Sequence, residues 1–109
     1  MTVNDLASAA GFSIVCDPCS DRMVSGVYIG DLLSWVMGKA KSDDVWITIM
    51  SNINVVAVAS LSDVSCILLA EGVTLDKDII DVANSKGVNV LTTELSAYEA
   101  AIRISDLIK

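Results

Sequence analysis

No histidine occurs in the 109 residues. That removes the side chain most used for proton transfer near neutral pH and the commonest metal ligand. Basic residues are scarce: seven Lys and Arg stand against fourteen Asp and Glu, for a net charge of −7. Without a basic cluster along the chain there is no path for a phosphate backbone, so nucleic acid is excluded as a partner. A small anionic ligand held by backbone N–H groups stays compatible with that charge. The chain also lacks a complete phosphate-loop or dinucleotide fingerprint, and no nucleophile sits beside an evident base. Apolar runs stop well short of the roughly 18 residues that a membrane span requires. No basic segment precedes an apolar core at the N-terminus, so no signal peptide is expected. Three cysteines are an odd number, and they fit a cytoplasmic protein with free thiols better than a secreted disulfide scaffold.

What the chain has in quantity is apolar side chains, 53% of the total. At this length they make one domain, residues 1–109, with a core of its own. A small domain has much surface for its volume, so so apolar a composition favours self-association. The densest stretch is 45–69 (VWITIMSNINVVAVASLSDVSCILL), which reads as a strand, a helix and a second strand around which the rest is built.

Taken in order, Thr2 or Asn4 caps a short helix over 5–10 that Gly11 stops, and 12–16 and 24–29 are strands. The intervening loop is too short for a crossover helix, so these two strands are expected to pair antiparallel or only loosely. Asp31 is a helix cap, with Leu32, Leu33, Val36, Met37 and Ala40 on one face of the helix that follows and Lys39 and Lys41 complementing its dipole. Strand 45–50 carries no charge on either face, as in a strand covered on both sides. Asn52 or Asn54 opens the next helix, with Ile53, Val56, Ala57 and Leu61 as a stripe. Four β-branched residues there leave strand as an alternative. Strand 66–70, a helix opened at Asp76 and closed by Gly87, strand 88–91 and a last helix capped by Ser96 and Glu99 complete the chain. Tyr98, Ala101, Ile102 and Ser105 are expected on the inner side of that last helix. The expected fold is α/β, in three layers or two, with a mostly parallel central sheet of about five strands and about four to five helices.

Two sets of residues are candidates for chemistry. Parallel strands place their carboxyl ends together, where helix N-termini converge and ligands collect. Those positions hold Gly30, Asp31, Ser51, Asn52, Asn54, Glu71, Gly72, Thr92 and Thr93. Their hydroxyls, amides and backbone N–H groups suit a nucleotide or another small polar ligand, while each also suits a plain cap or turn. Asp31 and Glu71 lack the base, nucleophile or metal partner that turnover needs, so no catalytic residue is assigned. The second set is Cys16-Asp17-Pro18-Cys19. A CxxC can be a dithiol couple or half a metal site. Here Cys66 stands alone as a third thiol, and Pro18 with Ser20-Asp21 indicates a loop rather than a helix N-terminus.

The segments Val27-Tyr28-Ile29-Gly30-Asp31-Leu32-Leu33-Ser34, Val36-Met37, Asp44-Val45-Trp46-Ile47-Thr48-Ile49 and 54–61 resemble the DRTGG-domain family, which is itself similar to the N-terminal domain of HPr kinase/phosphorylase. The likeness continues through 66–72 and 88–101. It implies a small α/β domain, often homodimeric, found alone or beside CBS domains in proteins that sense adenine nucleotides, and also in phosphotransacetylase-like proteins. It implies no cofactor and supplies no kinase active site. Asp31 matches the family's Gly-Asp pair, and Asn54 matches the asparagine that begins the apolar helix. Where the family's glycine motif is expected, this chain has Met50-Ser51-Asn52-Ile53-Asn54.

A symmetric homodimer is the last expectation. Trp35 lies off the apolar face of its helix, Val55 and Val58 lie off the stripe of theirs, and Tyr28 is on a neighbouring strand. A tryptophan left in water is unusual, and aromatic residues are enriched at interface cores.

Overall fold

Strand-forming runs of Val, Ile and Leu alternate with capped helical segments along the chain. In a computed structural model that describes residues 1–108, that alternation becomes a five-stranded sheet between two layers of helices. The elements are α1 (Val3–Ala10), β1 (Ser13–Cys16), β2 (Gly26–Ile29), α2 (Leu33–Lys39), β3 (Asp44–Thr48), α3 (Ile53–Ser62), β4 (Cys66–Leu69), α4 (Lys77–Ser85), β5 (Val90–Thr92) and α5 (Ala97–Ile108). The sheet order is β1-β5-β4-β3-β2. The last four strands run parallel, and β1 is antiparallel to β5, with a bulge between Ile14 and Cys16. The expected α/β class and mostly parallel sheet are borne out, in the three-layer form.

Alternation along β3 and β4 explains the layers. Val45, Ile47, Cys66 and Leu68 point to a core shared with α1 and α5. Trp46, Ile67 and Leu69 point to the opposite core, shared with α2, α3 and α4. Every residue of β3 and β4 is buried, as the apolar faces of Val45–Ile47 and Cys66–Leu69 require.

Five expectations are corrected. β1 and β2 do not pair at all, because they form opposite edges of the sheet. Four interstrand steps of about 4.8 Å separate them, about 19 Å in all, which an extended segment of this length crosses easily. The segment is held beneath the sheet by Arg22, whose guanidinium meets Asp43 at 3.0 Å and Asp63 at 2.9 Å. Asp31 does not cap α2: Leu32 is the N-cap, with no side-chain bond. On α2 only Val36 is fully buried, and Leu32 and Met37 are exposed. On α3 the helix reading holds and Asn52 is the cap, but the buried residues are Val55, Val56, Val58 and Ala59, while Leu61 is 74% exposed. A helix that is apolar on all sides carries no moment to orient it, so its tertiary neighbours choose the inward face. On α5 Ala100 and Ile104 are buried, whereas Tyr98, Ile102 and Ser105 face solvent. Alanines at 97, 100 and 101 let the helix lie close to the sheet, and the bulky tyrosine stays outside.

Candidate functional site

The carboxyl ends of β2 to β5 come to one end of the sheet, so the strand-end residues are gathered as expected. The side chains of Asp31, Asn52 and Thr93 are nevertheless committed to holding the turns. Asp31 Oδ1 accepts from Thr48 Oγ1 at 2.7 Å and from Ile49 N at 3.0 Å, and Thr48 Oγ1 accepts in turn from Met50 N at 3.1 Å. Beside this clamp, the Trp46 indole N–H donates to the Gly30 carbonyl at 2.8 Å. The end of β2 is thereby locked to the end of β3. Asn52 Oδ1 accepts from Asn54 N at 2.9 Å, while Ser51 and Asn54 are exposed.

At the end of β4, Glu71 and Gly72 both have positive φ, +61° and +76°. Gly72 is needed there for a second reason: a Cβ would lie 2.6 Å from Glu94 Oε2. The turn is sewn to the end of β5 by Glu71 N to the Leu95 carbonyl (2.9 Å) and Gly72 N to the Thr93 carbonyl (3.0 Å). Thr93 Oγ1 accepts from Leu95 N at 3.2 Å, and Thr92 closes β5, half-buried. The arrangement is a framework of caps and turns, with the side chains of Ser51, Asn54 and Glu71 toward solvent.

The two thiols of the CxxC differ in setting. Cys16 is buried, with its thiol directed at the Val88 carbonyl at 3.5 Å, whereas Cys19 is exposed. Burial pushes the Cys16 thiol up, and it pushes that of Cys66, fully enclosed, up to about 12. Among the described residues no three His, Cys, Asp or Glu side chains stand together as a metal site. The loop's anchor is Asn89, which the sequence reading passed over. Its Oδ1 accepts from Cys19 N at 2.9 Å, and its Nδ2 donates to the carbonyls of Cys19 (2.8 Å) and Ser65 (2.9 Å). An isolated polar residue inside the apolar run Val88–Leu91 was the available signal. Since the thiolate is the reacting species, native protein at pH 8 should label at one fast thiol, Cys19. Cys16 and Cys66 should react only as the fold opens, and iodoacetamide kinetics followed by mass spectrometry check this.

Of the four residues expected at a dimer interface, Val55 and Val58 are covered within the chain by the second core. Tyr28 is half-buried against the same core, and Trp35 is 59% exposed, with the Lys39 ammonium 5.1 Å from its ring centre.

Two cavities lie away from the strand ends. The larger, about 410 Å³, opens beside β2 and is lined by Ser25, Gly26, Tyr28, Lys39, Lys41 and Asp44 among others. The smaller, about 90 Å³, lies between Arg22, Asp63 and Lys86.

A model of the DRTGG domain matches residues 5–107. The chain belongs to the DRTGG-domain family. Among solved structures, this DRTGG domain is similar to the CBS and DRTGG domains of the regulatory region of Clostridium perfringens pyrophosphatase, determined with the activator diadenosine tetraphosphate. The TM-score is 0.73 at 15% identity, over 94% of this chain and 45% of that one. At that identity the likeness is one of fold, and the domain spans less than half of the protein it resembles. No curated protein sequence matches it. Among the described residues no helix is long and apolar enough to cross a membrane.

Proposed function

We propose that this DRTGG domain is a non-catalytic regulatory module that binds an adenine nucleotide or a related small molecule and acts through a partner or its own dimer. The observation that carries the reading is membership of a family whose fold recurs in the nucleotide-activated regulatory region of a pyrophosphatase. The absence of an acid–base pair among the engaged strand-end side chains supports a binding role over turnover. A thermal-shift panel of adenine nucleotides and dinucleotides tests it. A ligand at a hundredfold excess over its Kd adds about 2.7 kcal/mol to stability, which a melting curve resolves easily. A flat response across the panel removes the sensing role.

The dimer belongs to the same proposal, with its surface moved. Four large apolar side chains that the fold leaves exposed, Ile29, Leu32, Trp35 and Met37, fall within nine residues of β2 and α2. A standard two-fold interface buries about 1,200–2,000 Å², and Trp35 is the natural anchor of one built here. Light scattering on a size-exclusion column should give twice the 11.5 kDa of one chain. Trp35→Asp should give the single-chain mass with its helical signal unchanged, because it places a charge in a desolvated patch. A wild-type mass of one chain refutes the dimer, and an unchanged dimer in the variant refutes this surface.

A further inference from the structure

The cavity beside β2 has a floor, a rim and a back wall of different chemistry. β2 forms the floor at the edge of the sheet, where its outer side has no neighbouring strand. Lys39, at the last position of α2, and Lys41, in the loop that follows, form the rim. Two of the seven basic residues of an acidic chain thus line one opening. Among the described residues neither is ion-paired with a carboxylate, whereas Arg22 is held between two. Lys39 stands over the Trp35 ring, a contact that keeps its ammonium at the rim.

The back wall is Asp44, 8% exposed at the start of β3. Its Oδ2 accepts from Lys41 N at 2.8 Å. Its Oδ1 has no hydrogen-bond partner among the described residues and sits 2.6 Å from where a Cβ on Gly26 would lie. The glycine therefore leaves room for the carboxylate at the cavity wall. Facing the opening, that oxygen is free to accept from water or from a ligand hydroxyl.

The volume, about 410 Å³, falls in the usual range for small-ligand pockets. Tyr28, which also lines it, offers an aromatic surface. The geometry points to this cavity, rather than the strand ends, as the place where the domain takes a nucleoside phosphate. Lys39 and Lys41 meet the phosphate, Asp44 accepts from the ribose hydroxyls, and Tyr28 with the open edge of β2 meets the base. The inference rests on the regulatory reading above and names its site.

Calorimetry on the full chain with AMP and ATP decides it, with adenosine and inorganic phosphate as comparison probes and the double variant Lys39→Gln/Lys41→Gln as the test protein. Both lysines are exposed, so the variant should melt as the wild type does. Expected are binding of at least one nucleotide that weakens about tenfold or more in the double variant, adenosine and phosphate each weaker than the nucleotide, and no change in Ser51→Ala/Asn54→Ala. Nucleotide binding that survives unchanged in the lysine variant, or that is lost in the strand-end variant, overturns the site and leaves the regulatory reading standing. Phosphate binding as tight as nucleotide binding overturns the nucleoside assignment. Failure of both nucleotides while another member of the panel binds does the same, and silence across the whole panel overturns both readings.

Discussion

Trp46→Ala should lower stability by about 3–5 kcal/mol, out of a total of about 5–15 kcal/mol for a domain of ordinary stability. Trp46 is the largest fully buried side chain in the protein. It lies on β3, between Tyr28 of β2 and Ile67 of β4, and faces the core shared with α2, α3 and α4. Truncation removes the ring's packing and leaves a cavity that the enclosing strands cannot collapse to fill. It also removes the donor that the indole gives to the Gly30 carbonyl. Trp46→Phe separates the two effects: it keeps most of the volume and loses the hydrogen bond, worth about 0.5–1.5 kcal/mol. Urea unfolding followed by circular dichroism, with an unchanged m-value, checks both variants. Equal losses for Ala and Phe would mean that the hydrogen bond, not packing, dominates at this position.

Asn89→Ala should cost about 2–4 kcal/mol, a large effect for the loss of so few atoms. The amide satisfies three backbone groups at once, the N–H and C=O of Cys19 and the C=O of Ser65. It does so while itself buried, so the variant strands those groups where water reaches them poorly. The effect should also be local. With its anchor gone, the segment carrying Cys16 and Cys19 opens more often than the whole domain. Alkylation of Cys16 should then accelerate in Asn89→Ala while that of Cys66, buried on β4 in the core shared with α1 and α5, tracks global unfolding. Equal acceleration of both thiols would mean that Asn89 stabilises the fold as a unit rather than this loop.

Most of the scaffold was legible in the chain because its signals are local. Short apolar runs separated by caps and turns gave every strand and helix. Residue type narrowed the caps of α1 and α3 to Thr2 or Asn4 and to Asn52 or Asn54, of which the fold uses Thr2 and Asn52. What was not legible depends on neighbours distant in sequence. The inward faces of α3 and α5 follow from which sheet face each helix meets. Pairing of β1 with β5 joins residues more than seventy positions apart. Asp31 reads as a cap but bonds to Thr48 and Ile49, which the parallel pairing of β2 with β3 brings beside it. The candidate pocket is the extreme case. Gly26, Lys39, Lys41 and Asp44 each have an ordinary local explanation, and only the parallel pairing of β2 with β3 brings them around one cavity.

The adjacency of the first and last helices sets an order on the making of this protein. α1 and α5 cover the same face of the sheet and touch directly, with Arg103 Nη1 donating to the Ala10 carbonyl at 2.9 Å. A chain growing from its N-terminus has β2, β3 and β4 in hand well before β5 and α5 exist. Until then β1 has no strand to join, and the apolar face of Val45, Ile47 and Leu68 has only α1 to shelter it. Nascent chains cut short before residue 97 should therefore be sticky, protease-sensitive and retained by chaperones.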